Sequence, residues 1–160
     1  MRAKILEILE RDARILPADI AVMVGEEEAK VAEEIKQMEK EGIILAYKAI
    51  VNPERALEDK AACLIEVSVQ PEKGYGFDKI AERIYRFPEV QSVFLVSGGY
   101  DLLVVIEGKT VREIADFVID KLATLSNVRS TASHFLLKKY KESGMILVEH
   151  EKRDRIPVTP

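Results

Sequence analysis

The 160-residue chain holds one cysteine, two histidines and no tryptophan. A single cysteine excludes an intrachain disulfide, and its apolar neighbours Ala62 and Leu64 mark Cys63 as a small core residue. With only His134 and His150 and no Cys/His cluster, the sequence offers no metal-site spacing. No apolar run approaches the ~20 residues that cross a membrane. The opening "MRAKILEILERD" is charged and periodic, unlike an apolar leader. A cytoplasmic protein with no membrane partner is therefore expected. A basic excess is missing too. The net charge of -4 argues against coating nucleic acid by bulk electrostatics but leaves room for a local patch.

Periodic segments fill most of the chain. Ile5, Leu6, Ile8 and Leu9 form a helical stripe over residues 2–11. "DARILPADIAVMVG" opens a second helix at Pro17, a residue tolerated in a first turn, with Ile20, Val22, Met23 and Val24 as its apolar side and Gly25 as its stop. In the third helix Val31, Ile35 and Met38 recur at i, i+4 and i+7, with Ala32 beside them, before Gly42. The β-prone run "IILAYKAIVNP" follows. Three short helices, a tight turn and a strand are the pattern of a winged helix-turn-helix over residues 1–52.

"NPERALEDK" is a polar break, expected to link two domains across residues 53–60. Beyond it the period changes. "AACLIEVSVQ" alternates as a strand, and Phe77, Ile80, Ala81, Ile84 and Tyr85 recur at helical spacing up to Pro88. "VQSVFLVSGGYDLLVVIEG" reads as two strands around a Gly-Gly turn. Thr110 and Glu113 stand in capping-box register before the stripe Ile114, Phe117, Val118 and Leu122. "VRSTASHFLLKKYK" is a last strand. The order βαββαβ over residues 61–142 predicts an antiparallel ferredoxin-like sandwich, with both helices on one sheet face. The fold class is α+β. Several strands are apolar on both faces, and an uncovered apolar face predicts a second copy as partner. Residues 143–160 form a tail whose 145–148 run is expected to add an edge strand.

The sequence resembles the Lrp/AsnC, or feast/famine, regulators over residues 2–142. The likeness is carried by "ILEILERDAR", the "MVG" turn, "IKQMEKEGII" leading into "AYKAIVNP", then "VSGGYDLLVVI" and "VRSTASHFLLKKYK". It implies a DNA-binding winged helix joined to a C-terminal RAM-type effector domain, assembly into dimers or larger oligomers, and an amino acid or related metabolite as effector. No other cofactor is implied. By position, Ser97, Gly98, Gly99, Tyr100 and Asp101 match the family's effector turn, with Thr131 and Ser133 supplying hydroxyls from a neighbouring chain. Ser133 stands where Thr is usual. Gly98 and Gly99 would let backbone N–H groups approach a carboxylate. Asp101 would either accept from an ammonium or tie the turn together, and a plain hairpin whose glycines take positive φ is the competing reading.

The stretch "GEEEAKVAEEIKQMEKEG" departs from the family pattern. It holds seven glutamates and three lysines where basic residues are usual near 33, 34 and 37. The candidate DNA-facing residues are Lys30, Glu33, Glu34 and Gln37 on the third helix, with Lys48 beyond it. Glutamate accepts from cytosine N4 but repels phosphate. Helix-spaced Glu26–Lys30 and Glu33–Lys36 pairs would instead make a solvated face. Arg2, Lys4, Arg11, Arg14, Lys36 and Lys40 complete the basic residues available to phosphates. Two readings follow: a metabolite-responsive DNA-binding regulator, or a metabolite-sensing assembly protein whose helix-turn-helix contacts protein. An enzyme is a third, since siroheme decarboxylases share the two-domain plan, but no nucleophile–base constellation supports it.

Overall fold

The computed structural model describes residues 1–56, 60–71, 73–74 and 76–148. The chain divides into two compact units, Met1–Ile50 and Val51–Pro160.

In the first unit α1 (Arg2–Arg11), α2 (Pro17–Val24) and α3 (Glu28–Lys40) enclose Ile5, Ile20, Ala21, Val31 and Met38. Leu6, Ile8, Leu9 and Ile35 pack around them, as the periodicity of α1 and α3 predicts. Gly25 ends α2 in the left-handed conformation (φ 72°), and its N–H donates to the carbonyl of Ala21. The expected apolar side of α2 needs correction. Its core residues are Ile20 and Ala21, with Val24 packed beside them, whereas Val22 and Met23 are 85% and 63% exposed. A run of consecutive apolar residues fits more than one helical face, and only packing selects between them.

The expected wing strand is also corrected. Residues 45–52 belong to no strand, and Leu45 is 88% exposed. A β-prone sequence makes a strand only where another backbone pairs with it, and among the described residues none does. Residues 53–60 are not simply a coil. Asn52 Oδ1 accepts from the N–H of Glu54 (3.1 Å), starting the one-turn helix α4 (Pro53–Ala56). Residues 57–59 of the expected link lie outside the described residues.

The second unit has the predicted βαββαβ order: β1 (Ala61–Val69), α5 (Asp78–Tyr85), β2 (Val90–Leu95), β3 (Leu102–Gly108), α6 (Val111–Phe117) and β4 (Val128–Phe135). The antiparallel sheet runs β2-β3-β1-β4. Alternate residues of the central strands, Cys63, Ile65 and Val67 with Leu102, Val104 and Ile106, are fully buried in one core with Ile80, Ile84, Ile114, Phe117 and Leu122. Cys63 is the core residue expected, and burial raises its thiol pKa. Tyr85, expected on the apolar stripe of α5, is 58% exposed.

Thr110 caps α6 as predicted, its Oγ1 accepting from the N–H of Glu113 (3.1 Å). The Glu113 carboxylate reaches one residue further back than a standard capping box, accepting from the N–H of Lys109 (2.8 Å). After Phe117 the helix widens to a π turn, Val118–Leu122, closed by the N–H of Ala123 on the carbonyl of Val118 (2.8 Å). The tail run does not join the main sheet as an edge strand. Met145–Ile146 (β6) pairs instead with Lys141–Glu142 (β5) in a separate ribbon, and Asn52 Nδ2 donates to the carbonyl of Leu147 (2.7 Å).

Candidate DNA-reading face and effector turn

The glutamates of α3 fall into two groups. On the flank towards α1, the Arg2 guanidinium pairs with the carboxylates of Glu34 and Glu41, at 2.6 Å from Nη1 to Glu41. Gln37 Nε2 donates to the same Glu41 (2.8 Å). Arg2 and Gln37 hold the Glu41 carboxyl below its usual pKa, and Glu41 and Glu34 in turn raise that of Arg2. Glu39 accepts from the Tyr47 hydroxyl (2.8 Å), whose pKa is raised by burial and by that carboxylate. Lys30 Nζ lies 2.7 Å from Glu26, lowering the glutamate and raising the lysine, as the helix spacing predicts.

Two expectations are corrected here. Glu34 and Gln37 do not stand on an outward face; they are half-buried members of the Arg2 network. Nor does Glu33 pair with Lys36: among the described residues neither has an ion-pair partner. The face opposite Val31, Ile35 and Met38 carries Ala29, Glu33, Lys36 and Lys40, all exposed, at i, i+4, i+7 and i+11. Lys30 borders it, and Lys48 is exposed in the extended segment after α3. Of the basic residues that the sequence offered to phosphates, Lys36 and Lys40 are thus the two on this face. Helix spacing gave no signal for this sorting, because Arg2 stands 32 residues from Glu34 and 39 from Glu41.

In the second unit the expected effector turn connects β2 to β3. The N–H of Val96 donates to the carbonyl of Asp101 (2.9 Å), closing a loop in which Ser97, Gly98 and Gly99 are exposed and Tyr100 is half-buried. Asp101 ties the loop to β1. Its N–H donates to the carbonyl of Val67 (3.1 Å), and its Oδ2 accepts from the N–H of Val69 (2.8 Å) beside the irregularity at Ser68/Val69. The glycines do not take the positive φ of a plain hairpin, and a Cβ at either would meet nothing within 4 Å. Among the described residues nothing requires glycine at these two positions. Thr131 and Ser133 lie opposite Val67 and Ile65 on β4. Thr131 is half-buried and Ser133 exposed.

A cavity of about 290 Å³ opens at the other end of β3. Its walls include Glu89, Glu107, Phe117 and Lys121, and no residue of the 97–101 turn. Lys121 pairs with Glu89, holding that carboxyl below its usual pKa, and its Nζ lies 5.8 and 5.7 Å from the Phe87 and Phe117 ring centres. Glu89 Oε2 is buried without a hydrogen-bond partner.

On the sheet face opposite α5 and α6, Leu64, Leu103 and Val105 are half-buried and Phe94 is 51% exposed. His134 Nε2 stands 3.2 Å from Glu66 Oε1 on that face. His134 is thus a surface strand residue, and His150 lies outside the described residues. Among the described residues no cluster of His, Cys, Asp and Glu has the arrangement to hold a metal, and no helix is long and apolar enough to cross a membrane.

A three-helix unit with a charged, outward helix face, followed by a ferredoxin-like sheet, defines a DNA-binding module joined to a ligand-binding one. Residues 2–44 match the winged helix-turn-helix DNA-binding family, and residues 62–146 match the Lrp/AsnC ligand binding domain. The chain belongs to the Lrp/AsnC family of transcriptional regulators. It is 44% identical over 158 residues to YugG of Bacillus subtilis, an uncharacterized HTH-type transcriptional regulator, covering 98% of this chain and 95% of that one. It is 31% identical over 146 residues to the HTH-type transcriptional regulator FL11 of Pyrococcus furiosus, covering 91% and 93%. Its fold matches the crystal structure of the Neisseria meningitidis transcriptional regulator NMB0573 in complex with L-Met, with TM-score 0.69, 26% identity and coverage of 90% and 93%. The family is one of regulators and not of enzymes, which removes the catalytic alternative.

Proposed function

We propose that the protein regulates transcription as a homo-oligomer, binding DNA through the outward face of α3 and answering to an amino acid at the 97–101 turn. The observation that carries the DNA-binding half is the sorting of charge on α3. Glu34, Glu39 and Glu41 are engaged by Arg2, Gln37 and Tyr47, so Lys36 and Lys40 stand on the outward face with one carboxylate, Glu33, one turn before them. Lys30 and Lys48 flank that face and suit phosphate contacts. The residues that looked like obstacles are mostly committed elsewhere.

For the effector, the exposed Gly98 and Gly99 leave room for a ligand carboxylate to meet backbone N–H groups. Asp101 keeps one carboxylate oxygen beyond the bond to Val69, and Thr131 and Ser133 offer hydroxyls. The L-Met complex of the Neisseria regulator supports an amino acid as the class. The apolar sheet face of Leu64, Phe94, Leu103 and Val105 fits a second copy of the chain.

The competing reading, a metabolite-sensing assembly that no longer binds DNA, is favoured by exposed Glu27 and Glu28 at the start of α3. Retention of genomic fragments at low salt, with and without each amino acid, separates the two. We expect retention that weakens steeply with salt, and one or a few amino acids that shift it. A folded oligomer that retains no fragment under any of these conditions would overturn DNA binding. Retention untouched by every amino acid would overturn the effector class.

A further inference from the structure

We infer that Glu33 is the base-reading residue of α3, selecting a cytosine by accepting a hydrogen bond from its N4 amino group in the major groove. The inference rests on the proposed DNA binding by this helix and gives it a specific chemistry.

Glu33 stands within the outward face, one turn beyond Ala29, one turn before Lys36 and two before Lys40. It is exposed, and among the described residues it has no hydrogen-bond or ion-pair partner. Glu34 and Glu39 on the same helix, and Glu26 and Glu41 beside its two ends, all have one. A carboxylate in that position cannot hold a phosphate, because both are anions. The major-groove edge of a base pair does offer it donors, and the exocyclic amine of cytosine is the one a carboxylate matches. Lys36 and Lys40 on the same face, with Lys30 at its border, supply phosphate attraction to either side. A central acceptor flanked by cations suits a base edge flanked by two backbones. Ala29, with a bare methyl on the same stripe, leaves the neighbouring base pair open to apolar contact only.

The test is selection of bound sequences from a random duplex pool by the full-length protein and by Glu33→Ala and Glu33→Gln. Wild type should enrich cytosine at one position of each half-site. Glu33→Gln, which presents both a donor and an acceptor, should move that position towards adenine. Glu33→Ala should accept any base there. Replacing the cytosine should weaken wild-type binding roughly ten-fold or more and leave Glu33→Ala nearly unchanged. Loss of the carboxylate should also tighten Glu33→Ala on mixed-sequence duplex, by roughly two- to five-fold at low salt. Because Glu33 is exposed and has no hydrogen-bond or ion-pair partner among the described residues, both variants should melt with the wild type. Identical base preference in all three proteins would overturn the inference and leave DNA binding by the helix intact. A wild type that enriches no duplex at all would overturn the DNA-binding proposal itself.

Discussion

The two units are held together by different balances of the same forces. Among the described residues, the core of the helical unit holds five buried side chains around Ile5 and Met38, whereas that of the sheet unit holds thirteen around Ile65 and Ile106. The smaller unit closes α1 against α3 partly through Arg2, with Glu34 and Glu41, at its surface. The larger unit has ion pairs too, Lys121 with Glu89 and Lys139 with Glu107 and Glu142, but alternate residues on its central strands meet two helices over a broad area. A small core leaves a larger share of stability to polar contacts, so the DNA-reading unit should be the more sensitive to acid and to single substitutions.

That contrast can be broken most forcefully at Met38. Met38→Ala removes a fully buried side chain from a core of five and should cost about 2–5 kcal/mol. Calorimetry should then show a separate early transition, with loss of part of the helical signal, while the sheet unit melts as before. Ile65→Ala cuts the larger core by a comparable amount and should leave the helical unit's transition in place. A single shared transition in both variants would mean that the two cores are not independent.

A smaller effect is expected at the turn. Asp101→Ala leaves the N–H of Val69 without its acceptor and should cost about 1–2 kcal/mol. Asp101→Asn keeps an acceptor oxygen and should recover most of that loss. Any ligand effect lost in both variants then belongs to charge and not to folding. Equal melting points for the alanine variant and wild type would show that the tether contributes nothing.

The smallest effect should appear only on titration. Glu41 and Glu26 have pKa values lowered below the ordinary 4.5 by Arg2 and Lys30 respectively. A carboxylate lowered in the folded state contributes stability that is present above its unfolded value and lost as pH falls through the folded one. The helical unit should therefore weaken below about pH 4.5, and Arg2→Ala should flatten that decline. An unchanged slope between pH 5 and 3 would remove the network from any account of this unit's stability.

Much of this was legible in the sequence. Regular spacing located α1, α3 and the Ile114–Leu122 stripe, because a buried face repeats with the period of its element. The alternation of β1 and β3 and the glycine turn between β2 and β3 set the topology. What was not legible depended on partners distant in the chain. Arg2 meets Glu34 across 32 residues, so the outward reading of Glu34 could not be corrected from helix spacing alone. The four consecutive apolar residues Ala21 to Val24 fit two faces of α2, and only the fold of α1 and α3 chose one. The segment 45–52 carries strand propensity without a strand, since propensity states a fit to a neighbour and does not provide it. The π turn after Phe117 left no trace in composition.

Val67 joins the candidate effector turn to the strand that carries the hydroxyls. Its carbonyl accepts from Asp101 at the end of the turn, and its register partner on β4 is Thr131. The turn and the hydroxyl strand are thus neighbours of one residue on a central strand, with no loop between them to absorb displacement. A displacement of the turn is therefore expected to reach β4, the strand whose hydroxyls would serve a neighbouring chain's turn.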